Sequence, residues 1–391
     1  MLLLLLLALF GHLLLWVALF NRLHALGTPR PLTRALSLLC LVGLLAIPPG
    51  LVVVLARGGF SFFPADGWTH IPWPIRPYLA VCWMAVPVTV FPWLWHVGLR
   101  REPHVLRVHR SQIVAMTRPP ASEEHAQHFL VRAPRNQTFS LDRSERTIDI
   151  PRLPPALDGL SIVHISDFHF TGRVGKAYFH EVVRHSNEVQ PDLIAVTGDL
   201  VDKKACIEWA PEILGELRAR YGVYFILGNH DVRAGAEQVR SRLAETGLID
   251  LGGRWVQTWI REQPVILAGN ELPWIAPAAD LRSHPPHAGG ARPLRIALSH
   301  SPDQLAWARS HDVDLLLAGH THGGQIRFPL IGAVVSPCRE GVRYASGLFH
   351  APPTVMHVTR GVSGELPIRL NCPPEMAHLI LRAVSAADGT A

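Results

Sequence analysis

Five places along the chain put metal-binding side chains directly behind short apolar runs. LSIVHIS leads to Asp167 and, two residues on, His169. DLIAVT leads to Gly198 and Asp199, and GVYFIL leads to Gly228, Asn229, His230 and Asp231. RIALS ends at His300, and VDLLLA ends at Gly319 and His320, with His322 beyond Thr321. A lone Asp or His after a strand is usually a cap or turn residue. Five strand ends that all carry nitrogen or oxygen donors point instead to a metal site. Two carboxylates, an Asn carbonyl and four histidines, with His230 held back, exceed what one ion needs. Imidazole and carboxylate without thiolate suit Mn, Fe, Zn or Co, with Mg as an alternative, rather than Ca or Cu(I). Two ions about 3.5–4 Å apart, sharing one carboxylate and one water, are the natural arrangement. Asp167 and His169 are two apart, as are His320 and His322, so in extended backbone each pair points to one side.

The apolar runs read as buried strands. Residues 174–190, 208–220 and 235–247, which separate the earlier runs or follow them, carry helical periodicity. Strand–helix alternation implies parallel strands joined by right-handed crossovers, and ligands bind outside the carboxyl edge of such sheets. On this reading the fold class is α/β and the sheet doubly wound. Residues distant in sequence then converge at one edge. Asn270 and Glu271, after the run PVILAG, either line that pocket or end a strand. The pair of histidines in HPPHAGG (284–290) reads as a loop, because prolines and glycines surround it.

The first hundred residues differ in character. Residues 2–20, 35–56 and 78–99 are apolar stretches of about 20 residues, which is about 30 Å as helix and enough to cross a bilayer. A secretory signal peptide is the alternative for 2–20, but it lacks a charged n-region. Arg22, Arg30 and Arg34 in the first loop, and Arg100, Arg101, Arg107 and Arg110 after the third stretch, outnumber Arg57 and Arg76 in the second loop. Positive-inside counting then places the N-terminus outside and the C-terminal part in the cytoplasm. Trp68, Trp73, Phe60, Phe62 and Phe63 read as an interfacial aromatic belt. His12, His24, His70 and His96 have no evident partners. Residues 1–100 thus read as a transmembrane region and 101–141 as a connector with one or two short strands. ERTIDIP (145–151) reads as an edge strand of a catalytic domain covering 142–391.

The net charge is +6, and Lys176, Lys203 and Lys204 are the only lysines among 37 basic residues. The arginines are dispersed without interleaved aromatics, so no nucleic-acid partner is expected. The five cysteines form no C-x-x-C and fit neither a disulfide framework nor a zinc finger.

D167-x-H169, G198-D199, G228-N229-H230-D231, H300 and G319-H320-x-H322 resemble, in order, the five blocks of the calcineurin-like metallophosphoesterases. LSHSPD, GHTHGGQIRFPLIG and PIRLNCPPE resemble a bacterial membrane-associated phosphodiesterase subgroup in particular. The resemblance covers about residues 150–382. It implies a four-layer β-sandwich flanked by helices, rather than a doubly wound sheet. It implies that Asp167, His169 and His322 bind one divalent ion, that Asn229, His300 and His320 bind the other, and that Asp199 bridges them. His230 would protonate the leaving oxygen and Asp231 would orient His230. Hydroxide held between the ions would attack a phosphodiester or pyrophosphate. One lipid-pathway relative of the subgroup is the pyrophosphatase that cleaves UDP-2,3-diacylglucosamine. A lipid-linked substrate at the bacterial inner membrane is therefore the first expectation, with the catalytic domain on the cytoplasmic side. A tethered enzyme for a soluble nucleotide or phosphoprotein is the second. A non-catalytic scaffold is the third, disfavoured because no ligand or proton donor is missing.

Overall fold

The computed structural model describes residues 2–56, 71–99, 105–118, 129–283 and 292–384. Trp68, Phe60, Phe62, Phe63, His70, Arg100, Arg101 and the HPPHAGG segment lie outside the described residues.

The apolar N-terminal stretches form three helices, Leu2–His24, Arg30–Ala56 and Ile75–Leu99. Each is long and apolar enough to cross a membrane by length and composition. Many of their large apolar side chains are exposed, including Leu38, Leu45 and Phe91. Leu, Val and Phe left outward along a helix suit a lipid surround better than water. His12 does have partners. Its ring nitrogens meet the Tyr78 hydroxyl at 2.6 Å and the Leu44 carbonyl at 3.1 Å. These contacts link helices distant in sequence, which is why the sequence alone does not reveal them. A ring placed among apolar helices needs such partners, since an unpaired polar group there is costly.

The chain divides into two compact units, Met1–Arg101 with Arg339–Arg343 and Glu102–Cys338 with Tyr344–Ala391, and the second contains two mixed sheets. The first has seven strands, in the order 106–115, 140–150, 375–383, 161–165, 193–197, 223–226 and 249–250. The second has six, in the order 347–351, 354–358, 315–318, 294–299, 263–270 and 255–260. The parallel strands anticipated from the apolar runs are present. They are split between the sheets: 161–165, 193–197 and 223–226 lie in the first, and 294–299 and 315–318 in the second. A single doubly wound sheet is therefore not formed. ERTIDIP also differs from expectation. The strand Ser140–Ile150 is interior, because Glu375–Ala383 pairs with it in parallel on one side while Leu106–Ala115, from the expected connector, forms the edge on the other.

Continuous apolar runs are explained by burial on both faces of each strand. Ile162, Leu193, Ile226, Leu267, Ile296, Leu315 and Leu379 belong to one cluster that joins the two sheets. Val163, Ile165, Ile194, Val196 and Phe225 pack instead with Phe179, Val182 and Val183 of the helix Lys176–Glu188. Ala297, Leu316 and Ala318 meet Leu305 and Ala308 of the helix Leu305–Ser310. Helices thus cover the outer face of each sheet. The helix expected over 208–220 is shorter, Trp209–Leu214. From Gly215 the chain turns to i→i−3 bonds, such as Glu216 N–H to the Ile213 carbonyl at 3.2 Å. Glycine weakens a helix at that point.

Candidate metal centre

The five motifs follow the carboxyl ends of the parallel strands in the two sheets, and there they meet. Asp167, His169 and His322 form one group of donors, and Asp199, His300 and His320 form another. In the first group His169 Nε2 lies 3.2 Å from His322 Nε2 and 3.8 Å from Asp167 Oδ1, and His322 Nε2 lies 3.6 Å from the same oxygen. In the second, His300 Nε2 lies 3.2 Å from Asp199 Oδ2 and 3.2 Å from Asn229 Oδ1. Asp199 Oδ2 also lies 3.7 Å from His169 Nε2, so it stands between the groups. All nine residues singled out in the sequence are therefore brought to one place, although Asp231 serves a different purpose from the one expected.

The pairs two residues apart do converge, but not through extended backbone. Asp167, His169, Asp199, His320 and His322 all have positive φ, between 48° and 71°. Thr321, between the last two histidines, is right-handed. Non-glycine residues in this region cost about 1–3 kcal/mol each and cluster at functional sites. The strain is held by hydrogen bonds that tie one motif to another. Asp167 accepts the His320 N–H at 3.1 Å, and Asp199 accepts the His230 N–H at 2.8 Å. Two glycines allow the approach. A Cβ on Gly228 would stand 2.2 Å from Asp199 Oδ1, and one on Gly319 would stand 2.1 Å from Ser166 Oγ.

The Asp231 carboxylate makes no hydrogen bond to the His230 ring. Its Oδ1 accepts the Leu200 and Val201 N–H groups at 3.0 and 2.8 Å, and its Oδ2 accepts the Gly228 N–H at 2.8 Å. It holds the 198–201 turn against the start of the helix Asn229–Ala234. The carboxylate that meets His230 is Asp202, whose Oδ1 bonds His230 Nδ1 and whose Oδ2 bonds His169 Nδ1 at 2.8 Å. Burial works against the Asp202 charge, but the two imidazoles outweigh it and hold its carboxyl well below the usual range. A carboxylate can only accept, so both Nδ1 atoms carry hydrogen and both Nε2 atoms face the centre. His300 is oriented likewise by the Thr197 carbonyl, 2.7 Å from its Nδ1.

Sequence reasoning missed Asp202, though a second acid three residues after Asp199 was visible. It also missed Arg369, a fully buried arginine that donates to the His322 and Arg360 carbonyls at 2.9 and 2.8 Å. Trp274 was missed as well. Its ring lies 4.7 Å from that of His320 and 5.4 Å from that of His300. Glu271 is a brace rather than a pocket residue, since it accepts the Leu227 N–H and pairs with Arg240. Asn270 bonds Gln304 and the Leu272 N–H, as a strand-ending residue would.

The donors fit divalent cations. His320 Nε2 is buried without a hydrogen-bond partner. Burial, then the nearby His300, keeps the His320 imidazole neutral by pushing its pKa well down. A neutral, buried imidazole nitrogen beside a carboxylate and another imidazole is a ligand atom in need of an ion. No thiolate is present in either group.

Residues 160–324 match the family described as calcineurin-like phosphoesterase. The chain is 30% identical over 255 residues to an uncharacterised metallophosphoesterase of Bacillus subtilis (strain 168), YkuE, across 63% of this chain and 87% of that protein. It belongs to the calcineurin-like phosphoesterase family. Phosphodiesterase YaeI of Escherichia coli (strain K12) is 32% identical over 225 residues, across 56% of this chain and 81% of that protein. A Bos taurus transmembrane protein with metallophosphoesterase domain is 31% identical over 268 residues, across 61% of this chain and 56% of that protein. As a metallophosphoesterase, the chain acts on phosphoesters with divalent metals. The two donor groups are where a calcineurin-like phosphoesterase can hold them.

Proposed function

We propose that the protein is a membrane-anchored phosphohydrolase with two divalent ions, cleaving a phosphodiester or pyrophosphate bond in a lipid-linked substrate. The observation that carries the reading is the two donor groups, Asp167–His169–His322 and Asp199–His300–His320, with His230 outside both and grouped instead with His169 and Asp202. Asp167, His169 and His322 would hold one ion, and Asn229, His300 and His320 the other, with Asp199 shared. Bound there, the ions would supply Lewis-acid charge to the phosphoryl oxygens and activate water as nucleophile. His230 Nε2 lies 4.0 Å from Asp199 Oδ2, at the rim of the site. With Nδ1 fixed by Asp202, its Nε2 is the atom that can pass a proton to the leaving oxygen. Asp202 positions His169 and His230 together, so a ligand and the proton donor are set by one carboxylate.

Three apolar helices support anchoring in the bacterial inner membrane as a multi-pass protein, and the arginine distribution supports a cytoplasmic catalytic unit. Anchoring in turn favours a substrate that resides in the bilayer, such as a UDP-activated acyl sugar. The test is metal analysis of the full chain joined to a panel of phosphodiesters, phosphomonoesters and UDP-2,3-diacylglucosamine, each with Mn, Fe, Zn, Co or Mg restored after chelation. Turnover of the lipid-linked compound above water-soluble diesters is expected. Equal or better turnover of soluble nucleotides would move the reading to a tethered enzyme for soluble substrates.

A further inference from the structure

Immediately after the His322 turn the chain forms a small hairpin. Arg327–Phe328 pairs antiparallel with Gly332–Ala333, and Pro329, Leu330 and Ile331 form its tip. The tip is apolar and turned to the outside. Leu330 is 94% exposed, Phe328 and Ile331 are each 52% exposed, and Val335 is 45% exposed. A contiguous apolar cluster of this kind on a surface marks an interaction site.

The hairpin is bolted to the metal centre at its base. Arg327 Nε donates to the Gly323 carbonyl at 2.7 Å, and the Arg327 N–H donates to the Leu370 carbonyl at 2.9 Å. Asn371 Nδ2 donates to the Arg327 carbonyl at 2.9 Å. Ala333 closes on Gly324 so tightly that a Cβ on that glycine would stand 2.4 Å from the Ala333 Cβ. Gly323 and Gly324 directly follow His322, so the tip projects from the ligand turn itself. At about 3.3 Å per residue, the two or three residues from base to tip span roughly 10 Å.

We propose that this hairpin inserts its tip into the bilayer interface, bringing the His322 side of the metal centre to the level of lipid headgroups. The proposal rests on the membrane-anchored reading above. Two observations select a bilayer as the occupant. Among the described residues three helices are long and apolar enough to cross a membrane, and on the anchored reading they keep a bilayer beside the protein. From His320 to Cys338 the sequence holds no Asp or Glu, and Arg327 stands at the base of the apolar tip. That stretch repels no anionic headgroup, and apolar side chains with a cation at their base are what an interface accepts. A phosphoester in a lipid headgroup would then reach the metal centre without leaving its leaflet.

The experiment uses the full chain in phosphatidylcholine vesicles containing phosphatidylglycerol. All five native cysteines are buried, so an introduced thiol labels selectively. Leu330→Cys and, as a control, the exposed Ala244→Cys are each labelled with bimane. Nitroxide-bearing lipid is expected to quench the Leu330 label at least twofold and leave the Ala244 label unchanged, while iodide does the reverse. Iodide quenching at both sites, with the chain floating with the vesicles, would overturn the hairpin proposal and leave the anchoring reading intact. A Leu330 label reached by neither quencher would overturn it too, by showing cover from a second copy or another protein. A chain that fails to float with the vesicles would defeat both readings.

Discussion

Asp202 Oδ2 lies 2.8 Å from His169 Nδ1, while the other oxygen of the same carboxylate bonds His230. One side chain therefore sets both a metal-ligand histidine and the proposed proton donor. Removing such a carboxylate typically costs about 10–100-fold in metal affinity or activity. Asp202→Asn should weaken metal binding within that range and lower the rate at saturating metal as well, because His230 loses its partner. Titration of the chelated variant with Mn or Zn, followed by assay at saturation, separates the two losses. Asp231→Asn should behave differently. Its amide would face three backbone N–H groups with one acceptor oxygen, at about 1–3 kcal/mol for each donor left unpaired. It should lower the melting temperature before it alters the pH–rate profile.

Asp199 and His230 are neighbours with separable roles. Asp199→Asn removes the charge that stands between the donor groups, and metal-dependent hydrolysis should be abolished. His230→Ala should keep its full metal content yet lose about 10²–10⁴-fold in rate on esters with poor leaving groups. Elemental analysis of the purified His230→Ala protein decides the matter, since loss of metal would make His230 a ligand.

What the sequence made legible was local. Each donor follows its own apolar run, so His169, His300 and the rest could be found one strand at a time. The partition of those strands between two sheets depends on pairings such as Glu375–Ala383 with Ser140–Ile150, more than two hundred residues apart. No local pattern encodes that. Asp202 was obscured for a related reason: its neighbours in space, His169 and His230, lie on two other segments. The positive φ of His320 and His322 was hinted at only by the adjoining glycines. An argument from extended backbone reached the right convergence through the wrong local geometry.

The metal-free centre should bind protons in place of ions. Burial opposes charge on His169, but Asp202, Asp199 and Asp167 outweigh it and raise its pKa to about 9. Burial likewise opposes charge on His300, and Asp199 and Asp167 raise it to about 9. Both exceed the ordinary value of 6.5, so the stability they add to the metal-free fold is fully present below 6.5 and is lost as pH rises through 9. Metal entering through Nε2 must expel these protons. Apparent affinity should therefore rise with pH up to about 9, by as much as tenfold per unit for each proton displaced. Calorimetry in two buffers of different ionisation enthalpy reads the protons released. A buffer-independent heat at pH 7 would contradict the assignment.

Between the sheets, His164 faces His357 with Nδ1 atoms 2.9 Å apart. Arg146 donates to His357 Nε2 at 2.9 Å, so His357 Nδ1 carries the hydrogen and His164 accepts it. Burial, opposed only in part by Glu375, lowers the His164 pKa to about 3. This lies below the ordinary 6.5, so its contribution to stability is present above 6.5 and fades as pH falls towards 3. The slope is about 1.4 kcal/mol per pH unit for one proton. Denaturant melts at pH 7 and pH 5 should show a smaller acid loss in His164→Asn than in the parent, whatever its stability at pH 7. Equal losses would mean that His164 is already charged in the folded state.

Arg233 Nη1 lies 3.3 Å from His230 Nε2, and among the described residues no carboxylate forms an ion pair with it. A guanidinium only donates, so in this arrangement His230 Nε2 presents its lone pair. A proton donor needs hydrogen on that same atom. The two cannot coexist, and Arg233 must leave His230 before His230 can act. The phosphoryl oxygens of an arriving substrate are the acceptors that would draw it away, since paired N–H donors match them well. Arg233 is exposed and has the freedom to move. Arg233→Gln should thus raise KM by about tenfold, the order of a charge-assisted hydrogen bond worth roughly 1.5–3 kcal/mol less its partial replacement by water. Arg233→Lys, which keeps the charge and loses the fork, should recover part of the KM. An unchanged KM in both variants would show that Arg233 only covers His230 in the substrate-free protein.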